Sequence, residues 1–231
     1  MKKLLLAAGL LVTAGAVSAQ NESPTGNGNV VTREVPVSSF DEIRSGGIYQ
    51  LQLSQGTKES VTIEADENLQ QYFSVKNNGS KLVIEMTRKD NFSIRKSTRM
   101  VVHVTFRNLK SMDLQMVGNV RSAAPLTFSD LRIRNSSVGA VDLKLTANTL
   151  KLDNSAVGAV SLSGKADRAV INSNAVGAIH AGDFVVQTLT IDNDGVGSAE
   201  VNAEKEINVK DSFLGKVKNL GAAKMKKKET I

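Results

Sequence analysis

The sequence predicts an all-β protein built as a single-stranded parallel β-helix, or β-solenoid, preceded by an amino-terminal β portion. Three observations carry this. Glycine recurs at Gly139, Gly158, Gly177, Gly197 and Gly215, at spacings of 19, 19, 20 and 18 residues. Between these glycines lie short segments of strict alternation, such as Leu150-Lys151-Leu152-Asp153 and Val160-Ser161-Leu162-Ser163. Alternation with period two puts successive side chains on opposite faces, which fits a strand and not a helix. When the units are superposed on their glycines, the aliphatic residues fall into columns. A fixed period near twenty means stacked units that cannot bury their apolar faces alone.

The columns are explicit. One holds Leu131, Leu150, Ala169, Leu189 and Ile207, and the next Ile133, Leu152, Ile171, Ile191 and Val209. A third, just before the glycine, holds Val138, Val157, Val176, Val196 and Leu214. Val141, Val160, Ile179, Ala199 and Val217 follow the glycine, and then Leu143, Leu162, Ala181 and Val201. If each unit is one lap of a parallel β-helix, like residues stack ~4.8 Å apart. A leucine-rich repeat would need a helical or 3₁₀ return segment. Here the return segment alternates too, so the β-helix is preferred. The glycines read as tight corners between strands, where a residue without Cβ can take positive φ. Four residues ahead of them, Asn135, Asn154, Ser173, Asn193 and Asp211 form a polar column with inward parity. It reads as a structural ladder at a corner, with a ligand-contacting row as the alternative.

In chain order, residues 1–19 carry the marks of a signal peptide. Lys2 and Lys3 precede an apolar run too short to span a bilayer, and Val17-Ser18-Ala19 is a small-residue cleavage site. The expectation is an exported bacterial protein with no transmembrane helix. It would be periplasmic, surface-associated or secreted. Residues 20–29 are polar and read as a disordered linker. Residues 30–110 alternate strand and turn signals, with Asn78-Gly79 the strongest hairpin cue. Residues 89–97 read as an exposed charged loop. Residues 111–221 hold the coils, with Gly118 in an atypical first one because its spacing to Gly139 is 21. Residues 222–231 form a basic tail. It is either an electrostatic hook for anionic glycans or a charged end that blocks edge-to-edge stacking.

Composition narrows the function. The chain has no cysteine, so no disulfides hold it. The formal net charge of +6 is concentrated in Lys2, Lys3 and the lysines after residue 223. No broad basic face remains to recruit nucleic acid. No metal or cofactor motif is present. The two histidines, His103 and His180, lie far apart, His103 in an alternating strand and His180 beyond a corner facing solvent. There is no serine elbow, and Gly195-Val196-Gly197 lacks the following helix a phosphate cradle needs.

A longer pattern runs through the amino-terminal part: Arg33, then Phe40-Asp41-x-Ile43, Leu51-x-Leu53-x-Gln55-Gly56, Val61-x-Ile63-Glu64-Ala65-Asp66-x-Asn68 and Leu82-x-Ile84. With the glycine-cornered coils behind it, this resembles the auto-transporter adhesin, head GIN domain family over residues 31–221. The resemblance implies a right-handed parallel β-helix in an exported bacterial protein. The chain departs from the family twice. The first glycine of the Gly-x-Gly corner is Ser137, Ala156, Ala175 and Phe213, surviving only as Gly195. The closing Tyr-x-Gly-x-Pro is Asn219-Leu220-Gly221-Ala222-Ala223.

The favoured function is therefore a non-enzymatic adhesin or surface-binding protein that recognises a glycan or a cell-surface protein. The weak candidates for ligand contact are Asp153, Asn172, Asp192 and Lys210, in one outward column with Arg134. The alternative is a polysaccharide lyase or glycoside hydrolase. Asp153 and Asp192 would then be the acid pair, two coils or ~9.6 Å apart, near the spacing of inverting glycosidases. A third reading is an assembly protein that oligomerises through its coil ends.

Overall fold

The computed structural model describes residues 23–86 and 94–227. The signal peptide assigned to 1–19 lies outside the described residues, as do 89–93 of the charged loop and the last four residues of the tail. The strands, in chain order, are β1 (Val30–Val35), β2 (Glu42–Ile48), β3 (Gln50–Gln55), β4 (Ser60–Asp66), β5 (Phe73–Asn78), β6 (Lys81–Met86), β7 (Met100–Phe106), β8 (Ser111–Val117), β9 (Val120–Ser122), β10 (Leu126–Asn135), β11 (Val141–Asn154), β12 (Val160–Ser173), β13 (Ile179–Asn193), β14 (Ala199–Asp211), β15 (Val217–Asn219) and β16 (Met225–Lys227). A 3₁₀ turn, Glu67–Tyr72, separates β4 from β5. Among the described residues, the strands join one continuous hydrogen-bonded sheet.

From β8 onward every pairing is parallel, and the columns stack in register. Leu131 lies beside Leu150, Leu150 beside Ala169, Ala169 beside Leu189, and Leu189 beside Ile207. The column from Ile133 to Val209 stacks the same way. These side chains are buried and form the central core. This is the β-helix that the period predicts.

The third aliphatic column also stacks, but not into the core. Val138, Val157, Val176 and Val196 bridge one another from lap to lap. With Val117 they are 48% to 55% exposed. Each sits one residue before a positive-φ glycine, where the corner turns its side chain outward instead of following strand parity. The result is an aliphatic ridge along one edge of the solenoid.

The corners depend on close backbone contact. A Cβ placed on Gly158 (φ +137°) would lie 2.2 Å from the carbonyl oxygen of Gly139. Both the positive φ and the contact exclude any other residue. Gly118 has the same corner geometry, at φ +139°, although its spacing is 21. The extra residues fall between β9 and β10, at Ala123-Ala124-Pro125, and leave the registration of Val120 on Val141 intact. The first coil is therefore regular at its corner. Gly215 is different. It is absent from the positive-φ glycines and is held instead by the closeness of the Asn193 carbonyl oxygen, 2.2 Å from its would-be Cβ.

The polar column turns inward and is buried from Asn135 to Asn193. The Asn135 Nδ2 donates to Asn154 Oδ1 at 2.9 Å, and the Asn154 Nδ2 to the Ser173 hydroxyl at 3.4 Å. The Asn193 amide donates to the Gly197 carbonyl at 3.0 Å. Burial closes this row to ligands, and the ladder satisfies polar groups at the corner.

The stack extends further towards the amino terminus than the glycine period shows. β2 pairs parallel with β8, Glu42 on Ser111 through Ile48 on Val117. β3 pairs parallel with β9, Leu51 on Val120. Thus β2–β3 is a lap lying directly on the first glycine coil. On its other side lies a lap made by β6 and β7, with Glu42 on Lys81 and Leu51 on Val102. The chain makes the inner lap first, then the outer one, then crosses back. β4 and β1 add antiparallel strands to β7, and β5 adds one to β6. These antiparallel strands cover the edges that an open parallel stack would leave.

The linker expected over 20–29 is not free over its described part. The Gly26 N–H donates to the Lys96 carbonyl at 2.7 Å, and the Asn27 N–H to Asn68 Oδ1 at 3.0 Å. Asp66, fully buried, accepts the N–H of Gly28 and of Thr98, each at 2.8 Å. Burial opposes its charge, but the Thr98 and Gly28 amides outweigh it and hold the carboxyl below its ordinary range.

Two outcomes test these points. Gly158→Ala should cost about 3 kcal/mol or more in chemical denaturation. Gly79→Ala, at φ +61° with open space around it, should cost about 1 kcal/mol. Asp66 has a folded pKa below its unfolded value of about 3.9, so its contribution is full above that pH and is lost as the pH falls through the folded value. Amide resonances of Gly28 and Thr98 should therefore stay fixed from neutral pH down to about 4 and move only below it. In Asp66→Asn they should be displaced at every pH.

Candidate functional site

The outward column of β11 to β14 is assembled by register alone. Arg134, Asp153, Asn172, Asp192 and Lys210 are successive neighbours across the parallel pairs. Their side chains are largely engaged with one another. The Asp153 carboxylate accepts from Arg132 Nη2 and from Asn172 Nδ2, both at 2.9 Å. Burial pushes its pKa up, but the hydrogen bonds from Asn172 and Arg132 overcome this and hold it below the usual value. Lys210 bridges Asp192 at 3.1 Å and Asp194 at 2.9 Å. Those two carboxylates raise the lysine pKa, Asp194 foremost. Asp153 and Asp192 thus lie two ladder steps apart, each on its own cation. A general acid of a glycosidase needs a raised pKa, and Asp153 is shifted the other way.

The two histidines are not members of this column. His103 sits on β7, 3.3 Å from Glu64. Arg99 binds the same carboxylate at 2.7 Å. His180 is exposed on β13. Among the described residues, no cluster of three or more His, Asp or Glu side chains is arranged to hold a metal.

A second feature lies away from the column. Where the laps turn through Arg107–Lys110, 128–132 and 148–151, the surface opens into a cleft of about 1190 Å³. Phe40, Leu109 and Phe128 form its floor. Phe128 stacks on Phe106 behind it, with ring centroids 5.7 Å apart. Gln55 fixes one wall. Its Nε2 donates to the Thr127 and Arg107 carbonyls at 2.9 and 3.1 Å, and its Oε1 accepts the Thr127 N–H at 2.8 Å. The rim is polar and carries both signs of charge. Lys110 pairs with Asp41 at 2.7 Å, while Glu59 accepts from the Ser39 hydroxyl at 2.8 Å. The hydroxyl of Ser39 is the main reason the Glu59 carboxyl titrates below its usual value. Arg107, Arg132 and Lys151 add cations, and the buried Arg132 Nε has no hydrogen-bond partner among the described residues.

Phe40, Asp41 and Gln55 of the amino-terminal pattern line this cleft, but the sequence does not show that they meet residues 107–110 and the parts of β10 and β11 at 127–132 and 148–151. The basic tail is not wholly loose, because Met225–Lys227 pairs parallel with Ile207–Val209 as β16.

The fold is that of a solenoid-type β-domain, and similarity to known proteins agrees. The model of the family described as "Putative auto-transporter adhesin, head GIN domain" matches residues 39–223, and the chain belongs to this family. Comparison with curated proteins gives no match. Three crystal structures share the fold. A putative adhesin from Bacteroides fragilis aligns over 88% of this chain and 99% of its own, at 24% identity and a TM-score of 0.77. A putative lipid binding protein from Parabacteroides distasonis aligns over 89% and 99%, at 22% and 0.62. A putative adhesin from Parabacteroides merdae aligns over 89% and 99%, at 19% and 0.52. Among the described residues, no helix is long and apolar enough to cross a membrane.

The charged column is solvated, and such pairs contribute little to stability. Asp153→Asn and Asp192→Asn should each change the unfolding free energy by less than about 1 kcal/mol, measured by urea denaturation.

Proposed function

We propose that the chain is an exported, non-enzymatic adhesin whose cleft takes a glycan. The observation that carries this is the cleft itself, with a rigid apolar floor and a rim dense in hydrogen-bonding side chains. A sugar presents alternating hydroxyls and C–H faces, and this lining offers partners for both. The exposed Arg107 supplies donors for hydroxyl or carboxylate oxygens. Long laps on either side give an extended chain room to continue. Membership of the adhesin family favours surface binding over catalysis. The hydrolase alternative is less favoured because Arg132 engages Asp153 and Lys210 engages Asp192. Asp153, Asn172, Asp192 and Lys210 then serve mainly to knit the outer face together.

The test is retention on a glycan array. Wild type should bind a subset of glycans without releasing reducing ends or unsaturated products. Arg107→Ala with Lys151→Ala should weaken that binding by more than about tenfold, since hydrogen bonds to charged groups are worth ~1.5–3 kcal/mol. Binding unchanged by the double variant would place the glycan elsewhere. Product release would restore the enzyme reading.

A further inference from the structure

The two ends of the solenoid differ. At the amino-terminal end the antiparallel strands close the stack, and among the described residues no large apolar side chain before Val117 is exposed. At the other end, no described strand pairs with the far side of the last lap, residues 212–227. Phe213, Leu214, Leu220 and Met225 are all exposed there, Phe213 at 87%. Phe213 stands where earlier laps bury Ala156 and Ala175. A ring does not fit that slot and is turned out.

Charge follows the same asymmetry. Residues 212–227 contain five lysines and no acidic residue. Lys218 and Lys226 are paired back to Glu200 and Glu206 of the preceding lap, at 3.2 and 3.4 Å. Lys224 is exposed and makes no ion pair among the described residues. Lys216 has its Nζ 5.9 Å from the centre of the Phe213 ring. The lap itself is firmly held. Asn219 Oδ1 accepts the Ala203 N–H at 2.8 Å, and its Nδ2 donates to the Ala223 carbonyl at 2.9 Å. Because these residues form one lap, they share a layer only ~4.8 Å thick. Apolar side chains and free cations therefore face outward together from one end.

We propose that this terminal lap docks end-on against an anionic phospholipid bilayer. The lysines meet the headgroup phosphates, and Phe213, Leu214, Leu220 and Met225 enter the boundary below them. Two alternatives fit the chemistry less well. A second copy approaching end to end would bring lysines against lysines. A hydrated acidic polysaccharide would satisfy the lysines but leave the four apolar side chains without a partner.

The test uses the mature chain with sedimenting vesicles of phosphatidylcholine alone or mixed with phosphatidylglycerol. The protein should pellet with the mixed vesicles, less so at high salt, and stay in solution with phosphatidylcholine alone. Lys216→Gln with Lys224→Gln, both exposed on this lap, should weaken binding about thirtyfold. Phe213→Ser with Leu214→Ser should weaken it at unchanged salt dependence. Both pairs are exposed, so the melting temperature should hold in each. The protein has no tryptophan, so Phe213→Trp provides a single reporter whose emission should shift to the blue with mixed vesicles. Absence of pelleting, pelleting that neither pair reduces, or pelleting without the emission shift would each overturn the proposal. So would retention on an acidic polysaccharide in the absence of any vesicle binding.

Discussion

The backbone contact at the glycine corner governs the rest of the structure. From Gly118 to Gly197, each corner glycine lies against the carbonyl of the lap below, with no space for a Cβ between them. That contact sets the height of a lap. Once the height is fixed, parallel hydrogen bonds form on both flanking strands, and like residues must stack. The aliphatic core, the buried asparagine ladder and the charged outer column are all consequences of this registration. So is the valine ridge, which exists because the same residue precedes the glycine in every lap.

The order of laps in space is not their order in sequence. β2–β3 lies between the lap made by β6 and β7 and the lap made by β8 and β9. Residues 56–80 leave the stack so that the chain can add the outer lap and its antiparallel cover. This places the turns after β3, β7 and the start of β10 side by side, and the cleft forms where they meet. Among the described residues, the opposite end has no such cover. One end of the molecule is finished by strands and the other by lysines and exposed apolar side chains.

The coil region was legible because its columns repeat. The inward positions of Leu152, Ile171 and Ile191 follow from parity alone. Val157 and Val176 obey the same repeat yet face outward, because parity stops at a corner whose backbone angles the sequence does not state. The lap of β2 and β3 carried no signal of stacking. Its neighbours are 39 to 69 residues away, and its corner passes through Tyr49, not glycine. The hold of Asp66 on Gly28 and Thr98 was hidden for a similar reason: a polar linker and a buried carboxylate become partners only once the strands bring them together. The candidate column was located by its period, but its internal pairing, Arg132 to Asp153 and Lys210 to Asp192, depends on side-chain reach. The cleft, drawn from separate segments, left no periodic trace.

The central claim is the registered stack, with the early lap seated inside it. Because the natural chain has no cysteine, paired cysteines report it directly. Arg44 and Asp113 are register partners on β2 and β8, within the ~4.4–6.8 Å Cα separation a disulfide bridges. Arg134 lies one lap further, at ~9.6 Å from Arg44. Mild oxidation should crosslink Arg44→Cys with Asp113→Cys and leave Arg44→Cys with Arg134→Cys reduced. Crosslinking of the second pair in preference to the first would contradict the stacking order on which the account rests.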